Sequence, residues 1–288
     1  LVLALATGIS QQEPRTVVVG QVTALASPDQ MSLAIALAEA ASEPVSWPGL
    51  GRREPGPLRL IVLEPGGQLD SLSRGRFPPW SAGLAYPSAR TVVVRSRGSE
   101  AFTVLRHELA HLALHEAVRS RLPLWFDEGY ASWAAGEFDR LQRLNVNLAV
   151  LRGRIPNFDV LDRALRGPPT TAETAYALAA TAVIELARRT RGGDLESLLD
   201  RLEEGEGFDP ALRSTIGLTV DQFEVQWRRS IRRRYNLLTW IAAGGLWTLL
   251  GGLVLVAHFL RRRRDLPRRL ALDEGWVIPE EAEVSPEA

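Results

Sequence analysis

His107-Glu108-Leu109-Ala110-His111, followed by Trp125-Phe126-Asp127-Glu128-Gly129, is the pair of segments from which the rest of the chain can be placed. On an α-helix, residues four apart lie about 40° apart around the axis and about 6 Å apart along it, so the two imidazoles can close on one metal ion. Glu108 then sits beside the pair without joining it, placed to take a proton from a zinc-bound water that the metal has acidified to a pKa of about 7. Catalytic zinc takes three protein ligands and leaves a fourth position for water. Glu128, seventeen residues after His111, is the candidate third ligand. Its small neighbours Gly129, Ala131, Ala134 and Ala135 would let a helix starting near Asp127 bring its backbone close to the first.

Ligand type favours Zn2+ over other divalent ions without compelling it. Three of the four histidines fall within residues 107–115. Two other readings compete: a surface helix carrying two solvated histidines, and a structural zinc. Structural sites usually close their fourth position with thiolate, and the chain has no cysteine.

The 288 residues suffice for one sizeable core or two small ones with extras. With 34 basic and 34 acidic residues the formal charge is zero, so nothing points to nucleic acid as a partner. All basic residues are arginine, a skew that fits coding composition better than function. The lack of cysteine excludes disulfides and thiolate metal sites but assigns no redox compartment.

Leu1 to Ala6 reads either as the end of a signal-peptide apolar region, with residues 1–10 as its remnant, or as a short buried strand. A β-branched strand is expected from Thr16 to about Ala24, then a helix opening at Ser27-Pro28-Asp29. After a Pro/Gly-rich connection come strands at Leu58–Leu63, Ala82–Ala85 and Thr91–Val94, the second bracketed by turns at 78–80 and Pro87. Ser99 is the expected cap of the helix carrying His107, with Phe102, Leu105, Leu109 and Leu112 as its buried stripe. From Asp127 the pattern is helical, at 141–151, 160–165, 172–188, 194–203, 211–216 and 220–229, with Gly192-Gly193 and Gly205 at helix ends. The fold class is therefore α+β: a small mixed sheet with a covering helix, then a helical half, in one domain over residues 15–230.

Leu237 to Leu260 carries no charge over 24 residues, about 36 Å as a helix, enough to cross a hydrocarbon layer of about 30 Å. It reads as a transmembrane helix, the alternative being a buried helix of a soluble core. Five arginines precede it and six follow, with Arg261 to Arg264 abutting it directly. Together with a signal remnant, this places the metal domain outside the cytoplasm, on a single-pass anchor in the cell membrane. Residues 261–288 form a cytoplasmic tail, basic and then acidic and disordered.

These residues together resemble the gluzincin metallopeptidases, most closely the peptidase MA-like group of thermolysin and aminopeptidase relatives. The likeness runs over most of residues 16–230. Its strong parts are His107-Glu108-x-x-His111 and Pro123-x-Trp125-x-x-Glu128-Gly129-x-Ala131; its weaker parts are Ala82–Ala85 with Thr91–Val94, Ala175-Tyr176-Ala177, and Gly217–Val220 leading to Phe223-Glu224-x-x-Trp227. The resemblance implies a zincin-like architecture, His107, His111 and Glu128 as zinc ligands, Glu108 as general base, and a peptide or protein substrate.

Two departures bear on the chemistry. Aminopeptidases of this class hold the substrate's amine with a glutamate ahead of the zinc helix, whereas Gly83-Leu84-Ala85-Tyr86-Pro87 contains no acid. That favours internal cleavage over trimming from the end. Thermolysin relatives carry an aspartate four residues after the ligand glutamate, where this chain has Ser132. The group orienting a zinc histidine is then Asp127 or one the sequence does not identify.

His115 lies a further turn along and cannot share a metal with His107 and His111, which makes it a packing residue or an orienting partner. By resemblance Tyr176 is the oxyanion donor, with Tyr130 in reserve. Thr91–Val94 is expected at the sheet edge beside the cleft, where an extended peptide could add as a strand. The sequence thus describes a membrane-anchored zinc endopeptidase. The alternatives are an inactive tethered binding or scaffold protein of the same fold, and an aminopeptidase. Oligomeric state and physiological substrate are not legible.

Overall fold

The computed structural model describes residues 13–63, 81–95, 98–137, 155–235 and 246–274, with isolated positions between 146 and 153. The expectations for residues 1–10, 78–80, 237–245 and 275–288 lie outside that range, as does most of the helix expected at 141–151. The chain forms two compact units, Leu1–Tyr235 and Asn236–Ala288.

In the first unit the expected strand from Thr16 to Ala24 is two strands, β1 (Arg15–Val19) and β2 (Val22–Ala26). Gly20, at φ +55°, turns the chain so that Val19 pairs with Val22. Helix α1 (Met31–Ala41) follows a single 3-10 turn at Pro28–Gln30. The Pro/Gly-rich connection then folds a small separate hairpin, β3 (Val45–Trp47) with β4 (Gly51–Arg53).

Strands β5 (Leu58–Val62), β6 (Gly83–Tyr86) and β7 (Thr91–Val94) complete a five-stranded mixed sheet ordered β1-β2-β5-β7-β6. β2, β5 and β7 run parallel, while β1 and β6 are antiparallel ends. Thr91–Val94 is therefore not the edge strand expected from sequence. β7 is paired on both sides and all four of its residues are buried, and β6 ends the sheet instead.

Helix α2 (Glu100–Ala117) is held between two cores. Ala101, Leu105 and Leu112 pack on the sheet with Leu60, Val92, Val94 and Leu37 of α1. Ala110, Leu114 and Ala117 pack into the helical half. Phe102 was expected in the buried stripe but is 41% exposed, and Ala101 is buried in its stead. Ser99 makes no side-chain cap, because it is itself in a helical conformation.

The helical half begins with α3 (Leu124–Ala135), entered through Pro123 in an extended conformation. It continues with α4 (Phe158–Leu165), α5 (Pro169–Ala187), α6 (Glu196–Glu203), α7 (Phe208–Ile216) and α8 (Val220–Arg234). Trp125 of α3 stacks on Phe158 with ring centroids 4.1 Å apart, and Trp227 of α8 stacks on Phe158 from 5.1 Å. Burying each such side chain contributes about 1.5–3 kcal/mol.

Carboxylates reach between helices to satisfy exposed helix N-termini. Asp162 accepts from the Trp125 amide at 2.8 Å, and Glu224 from the Phe158 amide at 2.8 Å. The first ties α3 to α4 and the second ties α4 to α8. Gly129 faces α5 rather than the metal helix: a Cβ there would stand 2.5 Å from the Ala179 carbonyl oxygen. Its smallness brings α3 and α5 together, a different pairing from the one expected.

In the second unit α9 (Leu246–Glu274) carries exposed Trp247, Leu253, Leu255 and Phe259 before Arg261 to Arg264. Among the described residues no helix is long and apolar enough to cross a membrane. The expected span 237–260 is thus described only from Leu246 onward, and that part is joined directly to a charged segment.

Candidate metal centre

The seam between the two cores exposes one side of α2, and His107 and His111 occupy it one turn apart. α3 crosses that seam with Glu128. The Nε2 atoms of the histidines are 3.2 Å apart, and Glu128 Oε2 lies 3.5 Å from each. A tetrahedral zinc with bonds of about 2.0–2.2 Å sets neighbouring ligand atoms about 3.3–3.6 Å apart. The triangle of two nitrogens and one oxygen has the size of one face of that tetrahedron, so this trio fits zinc.

Each histidine is held from behind by its own carboxylate. His111 Nδ1 donates to Asp127 Oδ1 at 2.8 Å, and His107 Nδ1 donates to Glu137 Oε1 at 3.1 Å. A hydrogen on Nδ1 leaves the Nε2 lone pair facing the shared centre, as a metal-binding tautomer requires. Asp127, the partner suggested by the sequence, serves His111. Glu137 was not legible: it lies beyond the end of α3, where Gly136 adopts a left-handed turn at φ +77° and the Glu137 amide donates to Ser132 O at 3.0 Å. Its only sequence signal is a glycine closing a helix of small residues. Ser132 stands where thermolysin relatives have aspartate; it is fully buried, and Glu137 takes up the position behind His107. Arg106 Nε donates to Ala134 O at 2.8 Å and ties the same helix end to α2.

The electrostatics follow from packing four carboxylates and two imidazoles into a buried space. Burial lowers the pKa of His107, but the Glu137 and Glu128 carboxylates outweigh it and leave the group at about 10. His111 is likewise raised against its burial, by Asp127 and Glu128. Burial would raise Glu128, yet the two histidines bring it down to about 2. Asp127 and Glu137 are also held below the usual carboxylate range, against their burial, by the histidines they face.

Glu108 differs. It is buried beside the trio without ligand-distance contact to either histidine, and burial pushes its carboxyl up to about 7 despite the opposing histidines. Its carboxylate lies against β6, where the absence of a side chain makes room: a Cβ on Gly83 would be 2.5 Å from Glu108 Oε1. A carboxyl group poised near neutral pH suits proton transfer in both directions.

Tyr176 reaches the same space from α5, its ring edge-on to His107 with centroids 6.2 Å apart. Burial and the charges of Glu128, Glu108 and Glu137 hold its hydroxyl far above the normal phenol range, so it stays a donor. Tyr130, the reserve, is buried and donates to Pro48 O at 3.0 Å, which removes it from the site. His115 does not reach the trio; its Nε2 donates to Asp127 Oδ2 at 2.9 Å.

A small mixed sheet ahead of a helical half, with two histidines of one helix facing a glutamate from the helix after it, defines an α+β fold with a candidate metal site. The chain belongs to the Peptidase MA superfamily, whose family model matches residues 55–233. The match starts just before β5 and ends in α8, so it contains every residue of the candidate site, while β1 to β4 and α1 precede it. The family is one of peptidases and typically zinc-dependent. No curated protein matches the chain.

Proposed function

We propose that the protein is a zinc-dependent endopeptidase, with His107, His111 and Glu128 holding the metal and Glu108 acting as general base. The observation that carries this reading is the triangle of 3.2, 3.5 and 3.5 Å between the three ligand atoms, with the buried Glu108 carboxyl beside it. Zinc, when bound, supplies Lewis acidity, polarising the scissile carbonyl and making water acidic enough to lose a proton near pH 7. Glu108 takes that proton and returns it to the leaving nitrogen. The Tyr176 hydroxyl donates toward the carbonyl oxygen as charge develops there. An extended substrate adds to the sheet end at β6, so that its backbone passes the Glu108 carboxylate at Gly83. The lack of any acid between Gly83 and Pro87 removes the amine anchor that trimming from the end would need.

Membrane attachment through residues 237–260, with the metal unit outside and the arginine-led tail in the cytoplasm, is part of the same proposal and rests on sequence. Protease protection in sealed membrane vesicles tests it. Incubating the full chain with a mixed peptide library, with and without chelator, tests the activity. Internal cuts that a chelator abolishes and zinc restores are expected; terminal trimming or chelator-resistant cleavage overturns the reading.

A further inference from the structure

His115 lies outside the metal trio, yet its hydrogen bond completes a chain that ends there. Asp127 uses both carboxylate oxygens on imidazoles from successive turns of α2: Oδ1 takes His111 Nδ1 at 2.8 Å, and Oδ2 takes His115 Nε2 at 2.9 Å. The two rings lie nearly parallel, with centroids 6.4 Å apart and planes at 28°. Asp127 stands in the first turn of α3, where the helix favours its negative charge, and its side chain is largely enclosed, at 17% exposure. A carboxylate bonded at one oxygen can still turn about its last torsion, which is broad and weakly restrained. Bonded at both oxygens by a single rigid helix, it cannot turn without breaking one bond.

We propose that His115 is a positioning residue for the metal centre, acting through Asp127 to fix the ring plane and tautomer of His111. The inference rests on the zinc reading above. It assigns a function to a side chain that lies outside the metal trio and does not fill the core, since the His115 side chain is 35% exposed. His115, one turn beyond His111 on α2, supplies the bond to Asp127 Oδ2. His107 is held from beyond the end of α3 by Glu137, which the Ser132 side chain of α3 faces in turn. The two metal histidines are therefore braced differently, His111 by a chain within α2 and α3, His107 by a turn that Gly136 makes possible.

The test is a double-mutant cycle on zinc affinity, measured on the full chain by competition with a chromophoric chelator. Loss of a direct orienting partner typically costs 10–100-fold in metal affinity, so Asp127→Ala is expected in that range and His115→Ala, one bond further out, at about 3–10-fold. His115→Gln keeps an N–H donor and is expected to recover most of the loss. In the Asp127→Ala background His115→Ala is expected to add less than about 2-fold, because the side chain it supports is already gone. A wild-type chain that binds zinc and a His115→Ala variant that binds it with the same affinity overturn the relay alone, and so does a double mutant whose losses simply multiply. A wild-type chain that binds no zinc overturns the metal reading and the relay with it. Thermal unfolding in excess chelator separates a purely structural role, which would lower the melting temperature equally in all backgrounds while leaving zinc affinity unchanged.

Discussion

Substituting Gly83 with alanine should disable the general base while leaving the metal trio intact. A Cβ at this position would lie 2.5 Å from Glu108 Oε1, 2.9 Å from Glu108 Cγ and 2.6 Å from Val104 Cγ1. Ordinary non-bonded contacts start near 3.3–3.5 Å, so the Glu108 carboxylate must retreat by about 0.8–1 Å and Val104 must turn aside. Glu108 can do this, being a jointed side chain, so the protein folds at a cost of about 1–3 kcal/mol. Its carboxylate then no longer stands where proton transfer needs it. A misplacement of about 1 Å typically costs about 100-fold in rate, equivalent to about 2.7 kcal/mol of transition-state stabilisation. The assay is kcat and KM on a peptide chosen from library cuts, with zinc affinity measured in parallel. A fall in kcat of about 100-fold with KM and zinc affinity within about 3-fold is expected. Activity within about 3-fold of wild type would refute the argument that β6 confines the base, and loss of zinc would show that the strand supports the ligands instead.

Further outcomes bear on other parts of the site. Glu108→Gln should keep zinc and fold but abolish cleavage, read by metal content and turnover; full activity would remove Glu108 as base. Glu137→Gln should weaken zinc by about 10–100-fold, since the amide cannot hold His107 as a carboxylate does; unchanged affinity in chelator competition would make the 3.1 Å bond incidental. Gly129→Ala drives a methyl group into the Ala179 carbonyl at 2.5 Å and should lower the melting temperature, an overpacking cost of about 1–3 kcal/mol. In chelator-treated protein the raised His107 contributes stability in full below its unfolded value of 6.5, and that contribution fades as pH rises toward 10. The depressed Glu128 contributes above its unfolded value of 4.5, and its share is lost as pH falls toward 2. Melting temperature without metal should therefore peak between about pH 4.5 and 6.5, and a scan that rises steadily from pH 6.5 to 9 would contradict the pairing.

The parts of the site that a helix repeat governs were readable from the chain. His107, Glu108 and His111 lie within one turn of one element, and their relative placement follows from its pitch. Glu128 was readable because a second helix with small residues follows closely, although the smallest of them, Gly129, turned out to serve α5. Glu137 was not, because its approach to His107 depends on the left-handed turn at Gly136, beyond the end of α3. The edge strand was misassigned for a similar reason: Thr91–Val94 is the most β-branched of the late strands, but strand order is decided by which neighbours pair, and Gly83–Tyr86 closes the sheet outside it. A β-rich run signals burial on both faces, and β7 is buried throughout. Phe102 goes the opposite way, since the first turn of α2 meets the sheet through Ala101 and leaves Phe102 exposed.

Anomalous diffraction at the zinc edge from crystals of the zinc-loaded protein tests the central claim most directly. One ion bound by His107 Nε2, His111 Nε2 and a Glu128 oxygen, each at about 2.0–2.2 Å, with solvent at the remaining position, is the predicted result. An ion that leaves Glu128 outside its ligand sphere, or one whose fourth position is filled by a protein atom, would contradict it.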